Sequence, residues 1–302
     1  MTEAQDKIRT LFIVNPFSGV GRGKAIERHL KHHLDHEKFD YQVVYTERPA
    51  HATRLCREAA SDKIQLVVAV GGDGTVNEVA RPLVGKKIPM GIIPSGSGNG
   101  LARHLKIPME TNRAIHILNK MKTRNIDTVG VNNMFFLSIA GVGFDAMVAH
   151  KIAGEKRRGF LGYFRIAISE YRKYRPKKFT MVVDGKKVKR KALFISFANS
   201  DQFGYNTSIA PNAKIDDGMI DICIMKKVPL WKTIFLAPLL FARKIDRSPY
   251  VEIMRAHEVD LRQKKKRINL DGESVKLSNK LRIRVVPQSL MVVVPEKSRQ
   301  NI

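Results

Sequence analysis

The chain has 302 residues, of which 43% are hydrophobic and 27% charged, with a single Trp. That length accommodates two compact domains with a sizeable core, and the composition excludes collagen-like, disordered and low-complexity classes. Lys plus Arg number 54 against 28 for Asp plus Glu, a formal net charge of +26. This charge directs the chain toward polyanions: nucleic acid, anionic lipid or phosphorylated small molecules.

The basic residues thicken at Lys186–Lys191, Arg262–Arg267 and Glu155–Arg158, each also readable as a solvated turn. Cys56 and Cys223 sit in unrelated contexts, which argues against a disulfide framework and suits a reducing cytoplasm. The first ten residues are polar and lack an apolar signal core. The longest apolar run, Thr233–Ala242, is too short to span a bilayer. It reads as a core helix; Trp231 and its flanking lysines support the rival reading of an interfacial edge.

In chain order, Thr10–Val14 is a β-rich apolar run, followed by a Gly-rich turn and a helix from about Lys24. Tyr41–Tyr45 is the next strand, then a helix through Ala52–Ala60. Gln65–Val70 is an uninterrupted apolar run that leads into glycines and a helix, and Met90–Ile93 repeats the pattern. Strands alternating with helices predict a largely parallel α/β sheet covered on both faces over residues 1–126. From residue 127 to 302 strands dominate, with hairpin signals at Asn132-Asn133, Asp184-Gly185 and Asp271-Gly272. Helical stretches interrupt at Phe160–Tyr174 and Leu230–Lys244. This half reads as a second, mainly antiparallel β domain. Its last strand pair, Leu281–Val286 and Leu290–Val294, packs on either domain, and an active site is expected between the two.

Three Gly-rich turns follow predicted strands: Asn15–Gly23, Gly71–Glu78 and Pro94–Gly100. Loops at the carboxyl ends of strands in an open α/β sheet converge on one crevice. Glycines there let backbone N–H groups approach phosphate oxygens, and each following helix points its positive end at the same anion. The plain alternative is three tight strand-to-helix turns. The first loop is not a Walker A sequence, because Lys24 is followed by Ala25. The middle loop places Asp73 amid Gly71, Gly72 and Gly74. A lone carboxylate beside phosphates is repelled unless it holds Mg²⁺ or acts on a proton.

Gly71–Glu78 resembles the nucleotide-binding signature of the diacylglycerol kinase and sphingosine kinase catalytic domain, which has remote cousins in NAD kinases and phosphofructokinases. Asn15-Pro16 with Ser18-Gly19 and Pro94–Arg103 are similar to the lipid kinases' first and third motifs. Gly141–Ala146, Ala210–Gly218 and Leu270–Glu273 follow in the family's order. The resemblance implies ATP between an α/β domain and a β-rich domain. It assigns ATP contacts to Gly71, Gly72, Asp73, Gly74, Thr75, Val76, Asn77 and Glu78. Further contacts fall on Gly96, Ser97 and Asn99, on Asn15, Ser18 and Gly19, and on Thr46. Asp217, with the backbone carbonyls of Lys214 and Met219, matches a structural Mg²⁺ site of bacterial members; the rival reading is a turn before a strand. Glu273 or Asp271 is the general base by resemblance to bacterial diacylglycerol kinases, and Asp73 by resemblance to sphingosine kinases. Asp145 resembles the acid that contacts the lipid head group in sphingosine kinases, or caps a helix.

The expectation is in-line transfer of the γ-phosphoryl of ATP, with Mg²⁺, to a lipid hydroxyl. Diacylglycerol leads as acceptor and a sphingoid base follows. The rivals are an NAD kinase and, outside enzymes, a basic nucleic-acid-binding protein, for which no helix-turn-helix, zinc-finger or RNA-binding signature is present. A cytoplasmic protein held peripherally at an anionic membrane surface, without nucleic acid and with a homodimer allowed, completes the reading.

Overall fold

The computed structural model describes residues 6–19, 25–60, 63–154, 160–204, 207–264 and 266–296. The basic run Glu155–Arg158, and Gly23 and Lys24 of the first glycine loop, lie outside them. The chain divides into two units, Met1–Ile126 with Gln288–Ile302, and Asp127–Pro287.

In the first unit, β1 (Ile8–Val14), β2 (Phe39–Tyr45), β3 (Leu66–Gly71) and β4 (Met90–Pro94) form a parallel sheet in the order β2-β1-β3-β4. Every residue of β3 and β4 is buried, as expected of parallel strands with both faces covered. The helices are α1 (Ile26–His33), α2 (His51–Ala59), α3 (Asp73–Leu83), α4 (Gly100–His104) and α5 (Thr111–Lys120). They bury short apolar stripes: Ile26 and Leu30 from α1, Val76, Val79, Ala80 and Leu83 from α3, and Ala114, Ile115 and Leu118 from α5. A Cβ on Gly91 would lie 2.6 Å from Leu118 Cδ2, so only glycine lets α5 sit this close to β4.

Among the described residues the second unit has two large sheets and a small pair, β11 (Gln202–Gly204) with β12 (Thr207–Ser208). One runs β14 (Val251–Ala256), β13 (Ile220–Met225), β10 (Phe194–Ala198), β7 (Ile139–Gly143), β16 (Arg267–Leu270), β17 (Glu273–Lys276), antiparallel throughout. The other joins β6 (Met134–Phe136), β5 (Thr123–Val131), β18 (Lys280–Val293), β15 (Glu258–Arg262), β8 (Lys177–Val183) and β9 (Lys186–Ala192). Val129, Phe136, Met181, Ile195, Phe197, Ile222, Val259 and Ile283 belong to one buried apolar cluster, contributed by both sheets. A second cluster on the first sheet is covered by α6 (Phe144–Ala153), α7 (Phe160–Tyr171) and α8 (Leu230–Phe241). Asp184-Gly185 and Asp271-Gly272 turn β8 into β9 and β16 into β17 with φ positive at both residues (42° and 80°, 46° and 92°). This is the two-residue hairpin geometry that Asp-Gly favours.

Two expectations change. The last two predicted strands are one, β18, which runs through Pro287 and Gln288 (φ 47°). No two-residue reversal separates them, so the chain bends and continues until Val292 pairs in parallel with Met90 of β4. The core reading of Thr233–Ala242 also fails, because no residue of α8 is buried. Leu236, Leu239 and Leu240 rest against the second cluster, while Trp231, Ile234 and Phe235 face outward. A helix that is apolar all round can offer only one side to a core.

Both cysteines are buried and unpaired. Burial pushes the Cys56 thiol up to about 12 against the opposing charge of Lys86, and raises Cys223 well above its ordinary value, with Asp221 adding to it. The reactive thiolate is therefore scarce at neutral pH. A thiol-disulfide reagent at pH 8 should titrate neither cysteine in the native protein and both after denaturation; a fast-reacting native thiol would contradict this burial.

Candidate functional site

The carboxyl ends of β1, β3 and β4 lead into the three glycine loops, and side chains tie the loops to one another. Asn15 Nδ2 of the first donates to Thr75 Oγ1 of the second at 3.3 Å. Ser18 Oγ of the first meets Ser95 Oγ of the third at 2.6 Å. Asp73 of the second accepts the backbone N–H of Asn99 at 2.8 Å and of Gly100 at 2.7 Å. Glycines permit this closeness: a Cβ on Gly96 would lie 2.5 Å from the Gly72 Cα, and one on Gly98 would lie 2.6 Å from Asp73 Oδ2. A Cβ on Gly71 would strike Thr75 at 2.4 Å. Asn99 is held in the left-handed region (φ 54°), with Nδ2 donating to Gly96 O at 2.6 Å, while its buried Oδ1 has no hydrogen-bond partner among the described residues.

The expected ATP residues thus sort by what their side chains already do. Ser97 is exposed on the third loop, beside the partly exposed backbone of Gly72 and Gly74. Ser18 and Thr75 hold neighbouring loops. Val76 is buried with its N–H on Gly72 O, whereas Asn77 is only partly buried. Thr46 is buried, and its N–H pairs with Val14 O. Gly19 takes φ 60° in the first turn. Glu78 accepts the N–H groups of Ala50 (2.8 Å) and Ala52 (3.1 Å), so its carboxylate caps α2.

In the second unit, the carboxylate of Asp271 accepts three backbone N–H groups, from Leu137 (2.8 Å), Ser138 (2.8 Å) and Ile139 (3.0 Å). Glu273, two residues on, has an exposed side chain at the start of β17. Asp145 is buried in the first turn of α6 and accepts from Asn269 Nδ2 at 2.9 Å. It lies over Gly141, where a Cβ would come within 1.7 Å of its Oδ2. The next two residues, Ala146 and Met147, line a cavity of about 720 Å³ together with Lys177, Lys178, Lys264, Lys266, Arg267 and Lys276. Three of these six cations come from the run Arg262–Arg267.

At Asp217 the carboxylate accepts from Met219 N–H at 3.1 Å and meets the Arg255 guanidinium, which also reaches Asp221 at 3.4 Å. Burial pushes the Asp221 carboxyl up to about 6; Arg255 opposes the shift and Asp217 adds to it. Lys214 and Met219 would contribute only backbone carbonyls. The Asp217 carboxylate is thus already answered by a guanidinium and a backbone N–H. At Asp73 both carboxylate oxygens are likewise taken by backbone N–H groups.

Residues 9–131 match the diacylglycerol kinase catalytic domain model, and residues 138–294 match the YegS C-terminal NAD kinase beta sandwich-like domain model. The chain belongs to the diacylglycerol kinase-like family of lipid kinases. It is 29% identical to the diacylglycerol kinase of Bacillus subtilis, over 88% of this chain and 89% of that one. It is 27% identical to a Yersinia enterocolitica protein named "Probable lipid kinase YegS-like", over 95% and 97%. A crystal structure of a diacylglycerol kinase from Bacillus anthracis superposes with a TM-score of 0.77 at 25% identity, covering 96% of this chain and 98% of that chain.

A kinase of this family uses ATP and a lipid acceptor. In this lipid kinase several organising groups escape sequence reasoning: Ser95, Asn269, Arg255 and Asp127. Asp127 is buried and accepts the N–H of Gly218 at 2.7 Å. Periodicity marks Asp127 only as one residue of a strand; Ser95 alone carried a signal, as a hydroxyl within the third glycine loop.

Replacing Asp73 with Ala strands two N–H groups. At roughly 1.5–3 kcal/mol for each bond to a charged acceptor, the change should cost about 3–6 kcal/mol of stability in a denaturant titration. Gly96→Ala forces backbone against backbone and should weaken ATP binding at least about tenfold while leaving the second unit folded. Unchanged stability in the first variant, or unchanged ATP affinity in the second, would contradict the loop linkage.

Proposed function

We propose that this lipid kinase transfers the γ-phosphoryl group of ATP to the free hydroxyl of diacylglycerol, giving phosphatidic acid and ADP. The observation that carries the reading is the joining of the second and third glycine loops through Asp73 and the Gly72–Gly96 approach. Phosphate oxygens are received by the N–H groups that open α3 and by the Ser97 hydroxyl, and the N-terminus of the eleven-residue α3 favours their charge. Magnesium would enter with the nucleotide as MgATP and would offset charge developing on the transferring phosphoryl group.

Of the candidate bases, Asp271 and Asp73 have carboxylates spent on backbone N–H groups. Glu273, an exposed residue at the start of β17 beside the Asp271-Gly272 turn, takes the role. It accepts the proton of the acceptor hydroxyl as that oxygen bonds to the γ-phosphorus. The bond from γ-phosphorus to the β–γ bridging oxygen breaks, and ADP leaves with the electron pair. Asp271 sets the hairpin on which Glu273 stands. Asp145, held by Asn269, orients the acceptor. The enzyme reaches its lipid peripherally: a net charge of +26 and the basic rim beside α6 favour an anionic surface.

Loss of a general base costs roughly 10²–10⁴-fold in rate. Glu273→Gln should therefore lower kcat by about that factor with ATP affinity unchanged, and turnover near that of the wild type would remove Glu273 from the role. The acceptor is tested by offering the wild-type enzyme MgATP with diacylglycerol, sphinganine or NAD and weighing the products. Phosphatidic acid is expected, and phosphorylated sphinganine without phosphatidic acid would overturn the assignment.

A further inference from the structure

We infer that α8 is the enzyme's membrane anchor, a helix that lies in the head-group region of an anionic bilayer and inserts Trp231, Ile234 and Phe235 among the lipids. This deepens the reading above, since it rests on the acceptor being presented in a lipid surface.

Two faces of α8 are apolar. Leu236, Leu239 and Leu240 pack on the core of the second unit. The opposite face carries Trp231 (68% exposed), Ile234 (70%) and Phe235 (68%), with Leu230 and Phe241 about half exposed at the two ends. Such a concentration of large apolar groups on a protein surface marks an interaction site. The helix is twelve residues long, and among the described residues no helix is long and apolar enough to cross a membrane, so α8 would lie on the surface of a bilayer and not span it.

Charge decides the partner. From Lys226 to Ile245 the chain has five basic residues and no acidic one. Aromatic rings at the start of the helix carry lysines: Lys232 lies 4.9 Å from the Trp231 ring and 5.7 Å from that of Tyr250, and Lys227 lies 5.7 Å from the Tyr171 ring. Lys227 also donates to Tyr174 O at 2.7 Å, and the Tyr174 ring carries Lys177, one of the cations on the rim of the basic cavity. Aromatic rings and lysines edging an apolar face suit the boundary where acyl chains give way to anionic phosphates. An apolar protein groove would match Ile234 and Phe235 but would leave this belt of cations unanswered.

Trp231 is the only tryptophan of the chain and therefore reports on its own surroundings. Vesicles of phosphatidylcholine containing about one quarter phosphatidylglycerol should shift its emission to the blue and carry the protein upward in flotation. Pure phosphatidylcholine should do so far less. Ile234→Ser with Phe235→Ser, which keeps the reporter, should lower vesicle affinity by about tenfold or more. Because both side chains are exposed, the melting temperature, ATP affinity and turnover on monomeric dihexanoylglycerol should match those of the wild type. The anchor is overturned if Trp231 emission does not move with anionic vesicles, if the double variant floats as well as the wild type, or if neutral vesicles serve equally. It is also overturned if light scattering shows a dimer whose formation alone shifts Trp231, since a second copy would then cover the helix. Failure of the wild type to phosphorylate dihexanoylglycerol would count against the kinase reading instead and would leave the fluorescence result standing.

Discussion

Two backbone N–H groups, those of Asn99 and Gly100, end on the carboxylate of Asp73. This contact links the second glycine loop to the third, and the glycines on both sides leave room for it. Asn15 with Thr75 joins the first loop to the second, and Ser18 with Ser95 joins the first to the third. The three links close a circuit, so the loops act as one rigid frame. Preorganised N–H groups of this kind stabilise charge without rearranging during the reaction.

Much of this architecture was legible in the sequence. The apolar runs ending in glycine marked β1, β3 and β4, because parallel strands covered on both faces need unbroken apolar stretches. Asp184-Gly185 and Asp271-Gly272 marked hairpins, because two positive φ values suit few other pairs. The sequence did not show which polar atoms were already engaged. Asp73, Glu78 and Asp271 all have residue types suited to phosphate, metal or proton chemistry, yet each carboxylate ends on backbone N–H groups supplied by distant residues. Such partners depend on loop conformation, which leaves no periodic trace. α8 was misread for a related reason: an apolar run shows that a helix avoids water without showing which of its sides meets protein.

The carboxylates of the second unit illustrate the same division. Asp271 shapes the turn and Glu273 stands exposed beyond it, two residues apart. Asp145 is buried against Asn269 and needs glycine beneath it at position 141. Arg255 answers Asp217 and Asp221 together. These five acids thus serve different ends, set by their nearest donors. The surplus of positive charge is likewise uneven: part of it rims the cavity beside α6, and part lines the start of α8.

The central claim is that the joined loops receive the triphosphate through their backbone N–H groups. Hydrogen–deuterium exchange with and without MgATP reads those groups directly. The account predicts slowed exchange in residues 71–77 and 96–100 on adding nucleotide, with β13 and β14 unchanged. Nucleotide-induced protection confined to other segments, or no protection at saturating MgATP, would contradict it.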